Sequence, residues 1–128
     1  MANIHVLKKT HNEVVLRIYM TGASGGMVSA NLDSSYILTD DETFVGAESE
    51  VTFREIFWGA KKDKQIDITR VLNHGSNTVH GHYYLINGGH YKFDGFVDNV
   101  YANNDIRVTG DGPFHVILKL GKSGFPQS

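Results

Sequence analysis

The chain contains no cysteine, which rules out disulfides and thiolate metal sites and leaves packing and backbone pairing to hold the fold. That absence fits folding in a reducing compartment. No window approaches the roughly twenty apolar residues of a membrane-spanning helix, and the first residues lack the positive-then-apolar layout of a secretory signal. The expectation is no membrane partner and a mature chain that starts at or next to Met1. An excess of one charge is missing too: twelve Lys and Arg stand against fourteen Asp and Glu, for a net charge of -2, and no long basic run offers the footprint that nucleic acid needs. Nucleic acid is not an expected partner.

What is present is a chain of 128 residues, 41% hydrophobic, long enough for one domain over 1–128 that buries roughly two thirds of the surface its unfolded form exposes. Apolar residues recur at every second position. Val14, Leu16, Ile18 and Met20 share one strand face, and Phe114, Val116, Leu118 and Leu120 repeat the pattern. Ile4 to Lys8, Val51 to Trp58, Ile66 to Val71, and a hairpin of Val79 to Ile86 with Tyr91 to Val97 complete seven or eight strands. Turn chemistry falls at 22–26, 73–77, 87–89 and 109–113, where Gly is joined by Ser, Asn, Asp or Pro. The pattern predicts an all-β antiparallel β-sandwich or flattened barrel with little or no helix. The acidic segment Asp40 to Glu50 reads as a solvated loop anchored by Phe44, with room for one helical turn. Residues 121–128 read as a short C-terminal arm.

Histidine is the one residue class that suggests catalysis. His80 and His82 alternate along a strand and so share a face, as strand-borne metal ligands do. A three-residue loop of Asn87, Gly88 and Gly89 would put His90 opposite Ile86 and Asp94 opposite His82, adding both to that face. Gly75 with His80-Gly81-His82 resembles the metal motif of cupins, yet the glutamate that motif requires falls on Ile86, Asn87 or Gly88. The preferred reading is a polar strand face, with no cofactor and no catalytic residue; His80, His82 and His90 remain the only metal candidates. Gly121-Lys122-Ser123 looks like the end of a phosphate-binding loop, but the glycine needed at position 116 is Val. No serine sits in a Gly-x-Ser-x-Gly elbow.

Three stretches carry a family resemblance: the opening Met1-Ala2-Asn3-Ile4-His5-Val6-Leu7-Lys8-Lys9-Thr10-His11-Asn12-Glu13-Val14-Val15, the Phe53 to Arg70 hairpin with Trp58-Gly59-Ala60-Lys61-Lys62-Asp63-Lys64 at its tip, and the closing Phe114 to Phe125. Together they resemble the small virion structural proteins of contractile-tailed marine cyanophages. The resemblance implies a non-enzymatic β-domain at the capsid surface, made in the host cytoplasm. It would decorate or cement the major capsid protein lattice, or else join the neck, tail or baseplate. Its partners would be the major capsid protein, other virion proteins or further copies of itself in a dimer or trimer. Candidate contact residues are Ile4, His5, Trp58, Lys61, Lys62, Lys64, Phe125 and Pro126. The alternative from another class is a carbohydrate- or metal-binding β-sandwich that uses Tyr83, Tyr84, Tyr91 and Trp58 as stacking surfaces.

Overall fold

The computed structural model describes residues 2–21, 25–61, 63–72, 79–95, 98 and 100–127. It contains nine strands: β1 (Ala2–Lys9), β2 (Glu13–Met20), β3 (Gly25–Ala30), β4 (Glu50–Ala60), β5 (Gln65–Val71), β6 (Val79–Ile86), β7 (Gly88–Lys92), β8 (Asp105–Asp111) and β9 (Phe114–Ser123). A 3-10 turn, Gly46–Glu48, lies in the acidic segment, which had room for one helical turn. The strands form two antiparallel sheets, a five-stranded one in the order β1-β2-β9-β4-β7 and a four-stranded one in the order β3-β8-β5-β6. The sandwich is as expected, and it does not close into a barrel.

The alternation in β2 and β9 translates directly into packing. Val14, Leu16, Ile18 and Met20 face Val116, Leu118, Leu120 and Phe114 across one ladder, all buried. From the other sheet Ile66, Ile68, Ile106, Val108 and Leu85 close the core, each fully buried aliphatic contributing about 1.5–3 kcal/mol over its exposed state.

Register reveals how the sheets connect. β2 pairs with β9 from Glu13↔Gly121 to Met20↔Phe114, and the same two chain segments continue beyond the corner as β3 paired with β8, from Gly25↔Asp111 to Ala30↔Ile106. A second ribbon behaves the same way. β4 pairs with β7 up to Gly59↔Gly88, the Ala60 amide donates to the Asn87 carbonyl at 2.5 Å, and pairing resumes as β5 with β6 from Gln65↔Ile86. Two long antiparallel ribbons thus fold over one end of the sandwich, each serving both sheets.

This geometry corrects two expectations. β6 and β7 do not form a local hairpin: they lie in different sheets, joined by Asn87 at a φ of 62°. The chain leaves β6 there because the next residues are needed opposite β4. A Cβ on Gly89 would come within 2.7 Å of the Trp58 ring, so only glycine lets that indole lie across the strand. β4 and β5 are likewise split between sheets, so the 61–64 loop is a corner and not a hairpin tip. β3 and β8 were not expected, because Gly25-Gly26 and Thr109-Gly110-Asp111 read as turns. Lys62, the 73–77 turn with Gly75, and residues 96–97 lie outside the described residues.

The end of the sandwich opposite the corners is closed by buried charge. Lys122 donates to the Ile37 carbonyl at 2.7 Å, the Thr10 carbonyl at 3.0 Å and Glu42 Oε1 at 2.5 Å, with both side chains of the ion pair fully buried. Glu42 also accepts from the Thr39 amide at 2.8 Å and meets His11 Nδ1 at 2.7 Å. The acidic segment is therefore not wholly solvated: Glu42 faces inward, and Phe44 packs on the core beside Phe125. The expected C-terminal arm lies against its own domain. β9 runs to Ser123, Phe125 is 2% exposed, the Pro126 carbonyl accepts from the Thr43 amide, and Gln127 bridges to Glu42.

Burial by itself would raise the Glu42 pKa, but the Lys122 ammonium, the Thr39 amide and His11 outweigh it and hold the carboxyl below its ordinary value. A depressed folded-state carboxylate contributes stability above its unfolded pKa that is lost as pH falls through the lower folded value. Glu42→Gln should flatten the acid limb of the stability profile below about pH 4.5. Lys122→Met, which strands Glu42 and two carbonyls, should cost about 3–5 kcal/mol in urea unfolding at neutral pH.

Candidate functional site

The polar groups at the edge of the interior begin with a bulge. Tyr83 pairs with Ile68 and Gly81 with Thr69, which leaves His82 as the extra residue. The bulge turns His82 inward beside Phe53, at 5.4 Å between ring centroids, although simple alternation would have put it on the same face as Tyr84. There the Tyr83 hydroxyl donates to Asp98 Oδ2, and His82 Nε2 lies 3.0 Å from the same oxygen. Arg70, 1% exposed, extends behind this group. Its Nε donates to the Tyr101 carbonyl at 2.9 Å, its Nη2 to the Val51 carbonyl at 2.6 Å, and its guanidinium sits 5.3 Å over Phe53.

Burial drives the protonation states. It pulls the His82 pKa down, and Arg70 adds to that against the opposing pull of Asp98. Burial raises the Tyr83 pKa, reinforced by Asp98. Asp98 itself is held low because Tyr83, the Val100 amide and His82 outweigh the burial that would raise it. Burial lowers Arg70 to about 10, which still leaves it charged at neutral pH. A neutral imidazole and a phenol both bonded to one carboxylate form a closed set, and three surface hollows, beside Thr52 and Lys119, Gly26 and Thr109, and Arg17 and His115, are lined by none of these four side chains.

The proposed metal face does not assemble. His80 stacks on Tyr101 at 3.8 Å, His82 is engaged with Asp98, and His90 lies in the other sheet, stacked on Phe57 at 4.0 Å and 3.5 Å from Glu55. Asp94 pairs with Lys92. Among the described residues no three His, Asp or Glu side chains converge on a metal position. The stacking platform is also dispersed. Tyr83 points inward, Tyr84 is exposed on the outer face of the four-stranded sheet, and Trp58 and Tyr91 pack on one another at 4.9 Å.

The remaining contact candidates separate cleanly. Trp58 and Ile4 pack against the core, the indole N–H donating to the Ile86 carbonyl at 3.1 Å. Phe125 is buried, whereas His5, Lys61, Lys64 and Pro126 are exposed.

Sequence reasoning missed the outer face of the five-stranded sheet. Its registers align a row across all five strands, His5↔Arg17↔Ile117↔Phe57↔His90, flanked by Lys8↔Val15↔Lys119↔Glu55↔Lys92 on one side and Asn3↔Tyr19↔His115↔Gly59↔Gly88 on the other. Arg17 lies 4.6 Å over the Tyr19 ring, and His5 meets that ring edge-on at 5.2 Å. His115 covers Gly59, where a Cβ would come within 2.5 Å of the imidazole. Glu13 lies within 4 Å of Lys8 and Lys119, and Glu55 within 4 Å of Lys119 and His90. No signal local to one segment marks this face, because it gathers residues from five separate strands.

Comparison with known proteins returned no matching family model, no matching curated protein and no matching solved structure.

His82, neutral in the fold because its pKa is depressed, contributes stability that is complete above about pH 6.5 and is lost as pH falls through the lower folded value. Stability between pH 7 and 5 should therefore decline in the wild type and decline less in His82→Phe, read by urea midpoints. Zinc should leave the thermal midpoint of the wild type unchanged, and a stabilisation lost in His80→Ala would restore the metal reading.

Proposed function

We propose that this chain is a non-enzymatic structural subunit of a phage virion, a decoration or cement protein that binds the capsid lattice from its outer surface. The resemblance of segments 1–15, 53–70 and 114–125 to virion structural proteins supports this reading. The observation that carries it is how the buried polar groups are used. Lys122, Glu42, Arg70, His82, Tyr83 and Asp98 are each bonded to other parts of the same chain, so the chemistry available to a partner lies on the flat outer surfaces. A rigid sandwich with flat faces acts by covering area on neighbours, and a repeated lattice multiplies weak contacts through effective concentration.

The test is the copy number of the protein in purified particles, measured by quantitative mass spectrometry against the major capsid protein. A lattice-binding subunit is expected at on the order of hundreds of copies, in a fixed ratio to the shell subunit. Small multiples of three, six or twelve would move it to the neck, tail or baseplate, and absence from the particle would overturn the virion reading.

A further inference from the structure

We infer that the outer face of the five-stranded sheet is the docking face, and that its occupant is a flat, acidic surface on a neighbouring virion protein; the assignment rests on the virion reading above. Three observations converge on it.

The first is charge. Lys8, Arg17, Arg54, Lys92 and Lys119 stand on this face against Glu13, Glu55 and Asp94, with His5, His90 and His115 among them, on a chain whose net charge is -2. The face is thus basic on an acidic molecule, and like-signed surfaces elsewhere on the chain would be turned away from an acidic neighbour.

The second is anatomy. The central row holds Ile117 and Phe57, the latter 38% exposed, and Val15 lies beside them. Charged residues surround this apolar strip, which is the arrangement of a protein interface with a desolvated centre and a polar rim. Nucleic acid fits less well, because stacking needs free aromatic faces and here Arg17 lies over Tyr19 while His90 lies over Phe57.

The third is relief. Two hollows flank the strip, about four residues or roughly 13 Å apart along the strands. One of about 360 Å³ is lined by Thr52, Arg54, Lys92 and Lys119, with Glu55 and Asp94. The other, of about 630 Å³, is lined by Arg17, Tyr19, Lys61, Pro113 and His115. Each offers cations to an acidic side chain projecting from a partner. Five strands by six residues span roughly 20 Å by 20 Å, about half the 800 Å² per partner of a standard stable interface. A single contact of that size is weak, and the face holds only when many copies engage one lattice.

The test uses the full-length protein and purified particles of the encoding phage that lack it, with binding followed by co-sedimentation across protein concentration and salt. The double variant Arg17→Glu/Lys119→Glu should bind at least tenfold more weakly, and the wild type should weaken steeply with added salt. Lys64→Glu, at the opposite side of the corner, should bind as wild type; unchanged circular dichroism confirms that each variant is folded. Loss with Lys64→Glu and retention with the double variant would overturn the face while leaving the virion reading intact. Failure of the wild type itself to bind would sink that reading and the face with it. A fluorescent single-stranded oligonucleotide bound as tightly as the particles and released by the double variant would reassign the face to nucleic acid and overturn the acidic-protein occupant.

Discussion

Continuous backbone pairing around the two corners is the constraint from which the rest of the structure follows. A ribbon that passes from one sheet to the other must keep its ladder while its strands bend and approach closely, and side chains at the bend get in the way. The residues there are small. A Cβ on Gly26 would collide with the end of Met20, one on Gly110 would lie 3.1 Å from the Gln65 carbonyl, and Gly59 meets Gly88 across the ladder. Backbone therefore closes this end of the core without any plug. The opposite end receives irregular segments, whose carbonyls have no ladder to join.

That asymmetry explains why a chain with so many aliphatics buries a lysine and an arginine. The buried carbonyls at Ile37 and Val51 and the half-buried ones at Thr10 and Tyr101 need donors, and an apolar plug would leave them unpaired. Lys122 supplies three donors from one atom, and Arg70 supplies a planar fork that reaches two chain segments while its face covers Phe53. Each long side chain thus ties an irregular segment to a strand. Glu42 then neutralises Lys122, and Asp98 and Asp105 supply the negative field around Arg70. The charge inside this protein follows from the fold's open end.

The sequence made strands legible where alternation and burial coincide, as in β2 and β9. It concealed them where glycines serve the corner, since Gly25-Gly26 and Gly110 carry turn chemistry in a strand that needs them for close approach. Local reasoning about β6 and β7 assumed that neighbours in sequence pair with one another. In fact β6 pairs with β5, the strand before it, and β7 reaches back past both to β4, a long-range pairing with no local signature. The bulge at His82 was equally hidden: one added residue reverses side-chain parity, so a predicted surface imidazole became a buried partner of Asp98. The same parity change at Arg54, unpaired between Phe53 and Glu55, lets both Phe53 and Ile56 face the core.

The bulge at Arg54 also decides what the five-stranded sheet shows to solvent. With Arg54 looped out, Glu55 and Phe57 point away from the core and complete rows begun by Lys119 and Ile117; without it, Ile56 and Trp58 would stand outside and the polar residues within. The resulting face is basic but its field is short-ranged, because ions at physiological strength screen charge beyond about 8 Å, less than half the width of the sheet. Electrostatics can favour an acidic neighbour and help to orient the final approach, yet it cannot set register across the face. Register falls to the apolar strip of Ile117, Phe57 and Val15, whose desolvation is possible only when the partner surface fits it. On the proposed docking face specificity thus resides in the centre and encounter in the rim, a division that depends on Arg54 staying looped out of the β4 ladder.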